Sequence, residues 1–363
     1  MISAPRPTPH PACSIAPPDL LSRLASQGTA EQRDAALSAL AASASMRTQR
    51  SMLSQVRRRL GNEVANQLAG LDVTPERRQT IYDNQRQGRS FLPGVRVRGE
   101  DDPPTADADV NGAYDGSAAT YDFYRDVFNR DSLDGQGMEL VSSVHYGVDF
   151  DNAFWNGAQM VYGDGSGRVF VKGALAQSID VVGHELTHGV TSFTANLAYS
   201  KQSGALNESF SDVFGSLVKQ RHLNQTADQA DWLIGAGILV PALGKALRSM
   251  SAPGTAYDGD RQPDHMDGYV DLPDDNDPRN DNGGVHINSG IPNKAFYLVA
   301  SALGGQAWGT AGAIWFHTLT ERLQSKAQFV DAAEQTMQVA KEMFGDTAQS
   351  SVASAWQQVG VIS

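Results

Sequence analysis

The chain has 363 residues, 40% hydrophobic and 19% charged, values that exclude a disordered protein and leave room for two folded domains plus an extension. Its net charge of −12 argues against nucleic acid as the main partner, because phosphate binding needs a basic surface. The apolar runs are too short for a membrane span, and the single cysteine, Cys13, rules out an intramolecular disulfide.

Residues 1–18 are rich in proline and polar groups and should be extended. No apolar stretch follows a basic start, so this is not an ordinary signal peptide; the chain either stays in the cytoplasm or leaves by a non-Sec route. From Pro18 to about Leu71, apolar residues recur at helical spacing: Leu20, Leu21 and Leu24, then Leu37 and Leu40, then Leu53, Val56, Leu60 and Val64. Breaks fall at Gly28 and near Ser45. The basic run Arg57-Arg58-Arg59 and the pair Arg77-Arg78 fit either solvated helix faces or exposed processing sites.

From Gln79 to about Lys172 the texture predicts strands at Phe91–Val97 and Glu139–Tyr146. It also predicts a hairpin with arms Ala158–Tyr162 and Arg168–Lys172 around Gly163-Asp164-Gly165-Ser166-Gly167. One helix is predicted within this region, at Ala118–Asn129. Beyond Ala176 the pattern is helical, with helices near 178–194, 206–221, 292–303, 308–324, 328–344 and 347–358. A long irregular loop, Ala252 to Gly290, interrupts them. A β-rich part followed by a helical part is an α+β plan, and the cleft between the two is a natural place for a site.

The chemistry concentrates in Val181-Val182-Gly183-His184-Glu185-Leu186-Thr187-His188. On a helix, His184 and His188 project from one face and can grip one zinc ion, with Glu185 beside the metal-bound water. A hydrolytic zinc needs a third protein ligand and a free fourth position. Glu208, in Asn207-Glu208-Ser209-Phe210-Ser211-Asp212, is the natural third ligand. Asp212, one turn on, can accept the free ring N–H of a ligand histidine. Thr191 and Thr194 stand where a Gly and a third His would mark the metzincin pattern, which is therefore excluded. On these residues alone, a zinc endopeptidase competes with a zinc exopeptidase and with a non-catalytic zinc-binding protein.

Five blocks in order resemble the thermolysin-type (M4) zinc metallopeptidases, over roughly Thr80 to Ser363. They are Asn152–Trp155, Tyr162–Gly165, Asp180–His188, Gly204–Asp212 and Asp281–Gly290. The resemblance implies a thermolysin-like fold: a β-rich catalytic domain over 73–195 ending in the zinc-binding helix, then a helical catalytic domain over 196–363. It also implies Glu185 as general base, and His286, oriented by Asp281, with Tyr199 as oxyanion donors. Asn152 and the Ala153 backbone would hold an extended peptide substrate, and Arg248 would bind one of its carbonyls. Leu247, Ile234, Val181 and Phe170 would line an apolar pocket for the residue after the scissile bond. Residues 1–72, with a boundary anywhere in 45–78, resemble the short prosegment of the protealysin-like subgroup through Cys13-Ser-Ile-Ala-Pro-Pro-Asp-Leu-Leu21, and would serve as an intramolecular inhibitor. Cys13 is either a small residue packing that prosegment or a thiolate for zinc's fourth position.

The family's double calcium site would use acids where this chain has Lys219, Leu233, Ala236 and Lys245, with only Asp180 and Asp231 kept. That site is predicted absent, with the Lys219 ammonium replacing the cation. The nine aspartates between Asp258 and Asp281 have no fixed ligand spacing and read as a solvated acidic loop.

Overall fold

A computed structural model describes residues 13–41, 76–275 and 277–363. The expected helices beyond Leu40 at Leu53 to Val64, the Arg57-Arg58-Arg59 run, and the Cys13 side chain lie outside the described residues.

The first strand, β1 (Cys13–Ser14), is followed at once by helix α1 (Pro18–Gln27) and by α2 (30–41). Pro17 and Pro18 explain the abrupt change. Neither has a backbone N–H to extend a ladder, and proline at the first helical position is already set to a helical φ. Leu20, Leu21 and Leu24 form the buried stripe of α1, and the helix stops at Gly28 as predicted.

The main sheet has six strands: β1, β2 (Gln79–Asp83), β3 (Val95–Gly99), β4 (Leu140–Val144), β5 (Ala153–Trp155) and β6 (Met160–Tyr162), in the spatial order β1-β5-β6-β4-β2-β3. β4 pairs in parallel with β2 and β6, and the other pairings are antiparallel. β1, from the predicted prosegment, thus extends the sheet at the free edge of β5. Helix α3 (Ala108–Phe128) packs between the sheet and the long helices; Asp107 caps it, accepting from the amides of Asp109 and Val110.

Several sequence expectations need correction here. The hairpin partner of Met160–Tyr162 is Ala153–Trp155, not Arg168–Lys172. The glycines of 163–167 turn the chain out of the sheet, and Phe170 makes only an isolated bridge to Leu239. The first predicted strand lies further on, at Val95–Gly99, because residues 89–91 form a tight 3₁₀ turn. α3 begins ten residues before the predicted Ala118, since its small residues hide its apolar periodicity. Arg77 pairs with Glu100 at 2.7 Å and Asp122 at 2.9 Å just ahead of β2.

The rest is helical: α4 (Ala174–Gln177), α5 (Ile179–Phe193), α6 (Lys201–His222), α7 (Asp281–Asn288), α8 (Gly290–Leu303), α9 (Thr310–His317), α10 (Phe329–Phe344) and α11 (Asp346–Gln358). A two-stranded ribbon, β7 (Leu233–Ile234) with β8 (Arg248–Ser249), sits between α6 and α7. The predicted helix 308–324 widens into a π turn at Thr318–Arg322, and the loop 252–290 ends in α7 rather than staying irregular. Among the described residues, no helix is long and apolar enough to cross a membrane.

α5 and α6 are the frame of the site, and two glycines set their spacing. A Cβ on Gly183 would lie 3.1 Å from Gly215 Cα; one on Gly215 would lie 2.5 Å from the Asp180 carbonyl oxygen. The backbones meet at this crossing because neither position carries a side chain.

Candidate active site

α5 is buried along most of its length, and it carries His184, Glu185 and His188, all fully buried. Buried polar groups need partners, and each is supplied by a neighbouring element. His184 Nδ1 lies 2.8 Å from Asp212 Oδ1, and His188 Nδ1 lies 2.8 Å from Asn207 Oδ1, both acceptors on α6. Each Nδ1–H is therefore a donor, which turns the Nε2 lone pair of both rings toward the site.

Those two lone pairs face each other at 3.1 Å. Glu208 completes the triangle, its oxygens 3.5 Å from His184 Nε2 and 3.4 Å from His188 Nε2. A tetrahedral zinc with arms of ~2.1 Å separates its ligand atoms by roughly 3.4 Å, so all three edges fit. Three inward-facing lone-pair groups repel without a cation among them, and Glu208 Oε2 is buried with no hydrogen-bond partner among the described residues. The donor set of two imidazoles and one carboxylate is that of a hydrolytic zinc.

Asp212 does more than orient His184. Arg248, 1% exposed, grips it through Nε and Nη2, both at 2.7 Å, and Asn293 donates to it at 2.8 Å. Burial would push the Asp212 carboxyl up, but Arg248 and His184 bring it down to about 2. A buried guanidinium is tolerable because of this fork-to-fork pairing.

α7 opens with a left-handed turn: φ is 49° at Asp281, 50° at Asn282 and 84° at both Gly283 and Gly284. Two glycines in succession make that conformation accessible. The turn folds Asp281 back over the helix start, where Oδ2 accepts from the His286 amide at 2.8 Å and Oδ1 from its Nδ1 at 2.6 Å. Burial would lower the His286 ring, but Glu208 and Asp281 raise it to about 9. The ring then donates from both nitrogens, and its Nε2 lies 3.0 Å from the Ser14 carbonyl oxygen. The Tyr199 hydroxyl sits 3.2 Å from that Nε2 and donates to Glu208.

The remaining sequence-predicted residues converge on the same cleft. Asn152 Oδ1 accepts from the Ala16 amide at 3.1 Å, and the Ala153 carbonyl accepts from the Ile15 amide at 3.1 Å. Arg248 Nη1 donates to the Ile15 carbonyl at 3.3 Å. Glu185 Oε2 accepts from the Trp155 amide at 3.0 Å. Val181, Ile234, Leu247 and Phe170 are fully buried in the hydrophobic cluster that also contains Ile15. The chain's own β1 thus pairs with β5 up to Ser14, and Ile15 and Ala16, in the bend that follows, keep hydrogen bonds to Ala153, Asn152 and Arg248. Asn207 and Asn293 were missed from sequence. Asn207 directly precedes Glu208 on the polar face of α6, a signal that could have found it; nothing local marks Asn293.

Where the family's calcium site is expected to be absent, Lys219 Nζ lies 2.9 Å from Asp180, 2.9 Å from Asp231 and 2.7 Å from the Leu233 carbonyl. Burial works against its charge, but the two carboxylates outweigh it and raise its pKa.

Known proteins agree with this site. A family model for the thermolysin metallopeptidase catalytic domain matches residues 63–192, and one for the alpha-helical domain matches residues 195–361. An extracellular metalloprotease of Pectobacterium carotovorum subsp. carotovorum is 48% identical over 359 residues, covering 97% of each chain. Protease PrtS of a Photorhabdus strain is 48% identical over 290 residues, covering 78% of this chain and 76% of that protein. The solved precursor of protealysin, a metalloproteinase from Serratia proteamaculans, aligns with a TM-score of 0.82 at 46% identity, covering 97% of this chain and 100% of that one. The chain belongs to the thermolysin metallopeptidase family, in its protealysin-like branch, and is a zinc-dependent endopeptidase made as a zymogen.

Proposed function

We propose that zinc is held by His184, His188 and Glu208, and that internal peptide bonds are cut ahead of a hydrophobic residue. The convergence of Nε2, Nε2 and a carboxylate at tetrahedral spacing carries the proposal. Zinc bound there lowers the pKa of its water from about 15.7 to about 7. Glu185 takes the proton from the attacking water and delivers it to the departing amine. His286, charged and aimed by Asp281, donates to the carbonyl oxygen as negative charge develops there; Tyr199 is the second donor once the carbonyl draws its hydroxyl from Glu208. Asn152, the Ala153 carbonyl and Arg248 fix the substrate as an added strand, through the hydrogen bonds that Ile15 and Ala16 now make to them. Val181, Ile234 and Leu247 form the pocket for the residue after the scissile bond.

The prosegment comprises residues 1–72, with its boundary in 45–78, and is an intramolecular inhibitor because its strand fills the cleft. The two catalytic domains meet near residue 195. The ammonium of Lys219 takes the place of the family's double calcium site, supported by its three oxygen contacts. The similar protein named an extracellular metalloprotease supports export of this chain.

The test is digestion of casein and of defined peptides by protein freed of its prosegment. Mass spectrometry should find internal cuts preceding Leu, Ile, Val or Phe, with activity lost to a zinc chelator and in Glu185→Ala. Release of single terminal residues, or undiminished activity in Glu185→Ala, rejects the proposal.

A further inference from the structure

The prosegment strand pairs antiparallel with β5 and its following residues occupy the groups assigned above to substrate, and this points to one particular bond. The groups that grip the residues on the amine side of a scissile bond all act on Ile15 and Ala16: the Ala153 carbonyl takes the Ile15 amide at 3.1 Å, Arg248 donates to the Ile15 carbonyl at 3.3 Å, and Asn152 Oδ1 takes the Ala16 amide at 3.1 Å. The oxyanion donor acts on the residue before: His286 Nε2 is 3.0 Å from the Ser14 carbonyl oxygen. Glu185 is fixed on the same side by the Trp155 amide, and Trp155 pairs with Cys13. Ile15 is fully buried, an apolar residue of the kind the pocket after the scissile bond is built to take.

We propose that the Ser14–Ile15 peptide bond is a self-cleavage site, cut within the same molecule by the zinc-loaded zymogen. The proposal rests on the residue roles given under the proposed function. Water adds its hydroxyl to the Ser14 carbonyl carbon as the C–N bond breaks. Its proton passes through Glu185 to the Ile15 nitrogen, and the proton of the new carboxyl group follows, leaving a Ser14 carboxylate and an Ile15 ammonium. The cut does not by itself free the cleft. Ile15 and Ala16 keep their contacts to Arg248, Ala153 and Asn152, and α1 stays docked through Asp19, which accepts from the Tyr257 hydroxyl at 3.1 Å. The nicked chain is a product complex, still inhibited until the rest of the prosegment is removed.

The experiment tracks the full-length zinc-loaded chain by intact mass and N-terminal sequencing across a hundredfold range of concentration, beside Glu185→Gln. A new N-terminus at Ile15, appearing with a first-order rate constant independent of concentration and absent in Glu185→Gln, supports the proposal. Ile15→Ala should slow the cut by at least about tenfold, since lost methylenes in such a pocket weaken transition-state binding. In the uncut Glu185→Gln chain, hydrogen exchange should find the Ile15 and Ala16 amides protected, a measure of register that needs no turnover. The proposal is overturned if matured enzyme digests casein while Ser14–Ile15 stays intact in the zinc-loaded zymogen. It is equally overturned if the cut rate scales with concentration, or if those two amides exchange freely. Loss of all peptide hydrolysis, even after prosegment removal, would instead sink the underlying role assignments.

Discussion

Among the described residues, two clusters each bring the ligand atoms of three metal-capable side chains within 4.8 Å of one another: His184, His188 and Glu208 inside, and Asp107, Asp109 and His145 near the surface. Their inventories look alike, but their hydrogen-bond accounts do not. Inside, each ring spends Nδ1 on a neighbour and turns Nε2 inward toward the other ligands. Outside, both nitrogens of His145 are spent, Nδ1 on Asp164 at 2.7 Å and Nε2 on Asp107 at 2.9 Å, while Asp109 takes a hydrogen bond from Gln177. The proton on His145 is the cation of that cluster. A metal centre is defined by lone pairs left over after every local partner is served.

The sharpest way to break this contrast is to remove one carboxylate from each cluster. Glu208→Ala should lose its zinc, and peptide hydrolysis should fall by several orders of magnitude, whereas Asp109→Ala should keep wild-type zinc content and activity. Metal analysis beside a peptide assay decides it; zinc loss in Asp109→Ala would show that the outer cluster is a metal site. The next effect concerns a third cation, the Lys219 ammonium. Lys219→Met leaves Asp180, 4% exposed, without its counter-charge and should cost about 3–5 kcal/mol of stability. In the wild type, a calcium-selective chelator should leave the unfolding midpoint unmoved; a fall would restore calcium to that position.

Most of the inner site was legible because its chemistry is written locally. A His-Glu-x-x-His run fixes two ligands and the base on one helical face, and the Asn-Glu-x-x-x-Asp run places Glu208 and Asp212 one turn apart. Asp281 and two glycines before His286 announce a turn that folds the carboxylate back onto the ring. What could not be read is what depends on elements meeting from afar. Asn293 reaches Asp212 across 81 residues, and the Gly183–Gly215 crossing has no local periodicity. The hairpin error has the same origin: Gly163–Gly167 marks a reversal, but which strand pairs with Met160–Tyr162 is settled by the sheet. The outer cluster was invisible for the same reason, since Asp107, His145 and Asp164 come from three separate segments.

Between these extremes lies Asn207, which holds the His188 ring through Oδ1 and donates its side-chain amide to the Leu197 carbonyl at 3.1 Å. Asn207→Ala should weaken zinc binding by about 10- to 100-fold, the usual cost of losing a partner that orients a ligand. Competition with a calibrated zinc chelator measures it. Ser211, whose hydroxyl lies 3.0 Å from the same ring nitrogen, sets a floor by serving as a substitute acceptor. An unchanged affinity in the double variant Asn207→Ala/Ser211→Ala would mean that ring orientation is fixed by packing alone.

The smallest effect is the most specific to the outer cluster. Asp164 raises the His145 ring to about 9, burial opposes it, and Asp107 adds to the rise, against an ordinary value of 6.5. Because the folded value is the higher one, the stabilisation from His145 is complete below pH 6.5 and disappears as pH climbs through about 9. On the acid side, burial opposes ionisation of Asp107 and Asp164, but His145 outweighs it and depresses both, so the contribution fades again as the carboxylates protonate. His145→Gln should therefore be less stable than the wild type across the mildly acidic to neutral range, and the two should converge above pH 9. Asp107 is 43% exposed and solvent screens the pair, so the gap should be only about 1 kcal/mol. Arg86, 3.3 Å from Asp164, keeps part of that carboxylate's compensation when the imidazolium is gone. Denaturant unfolding of the two proteins over that pH range gives the curve. A constant gap at every pH would mean that His145 contributes shape rather than charge, and the contrast between a proton-filled and a metal-filled cluster would fail.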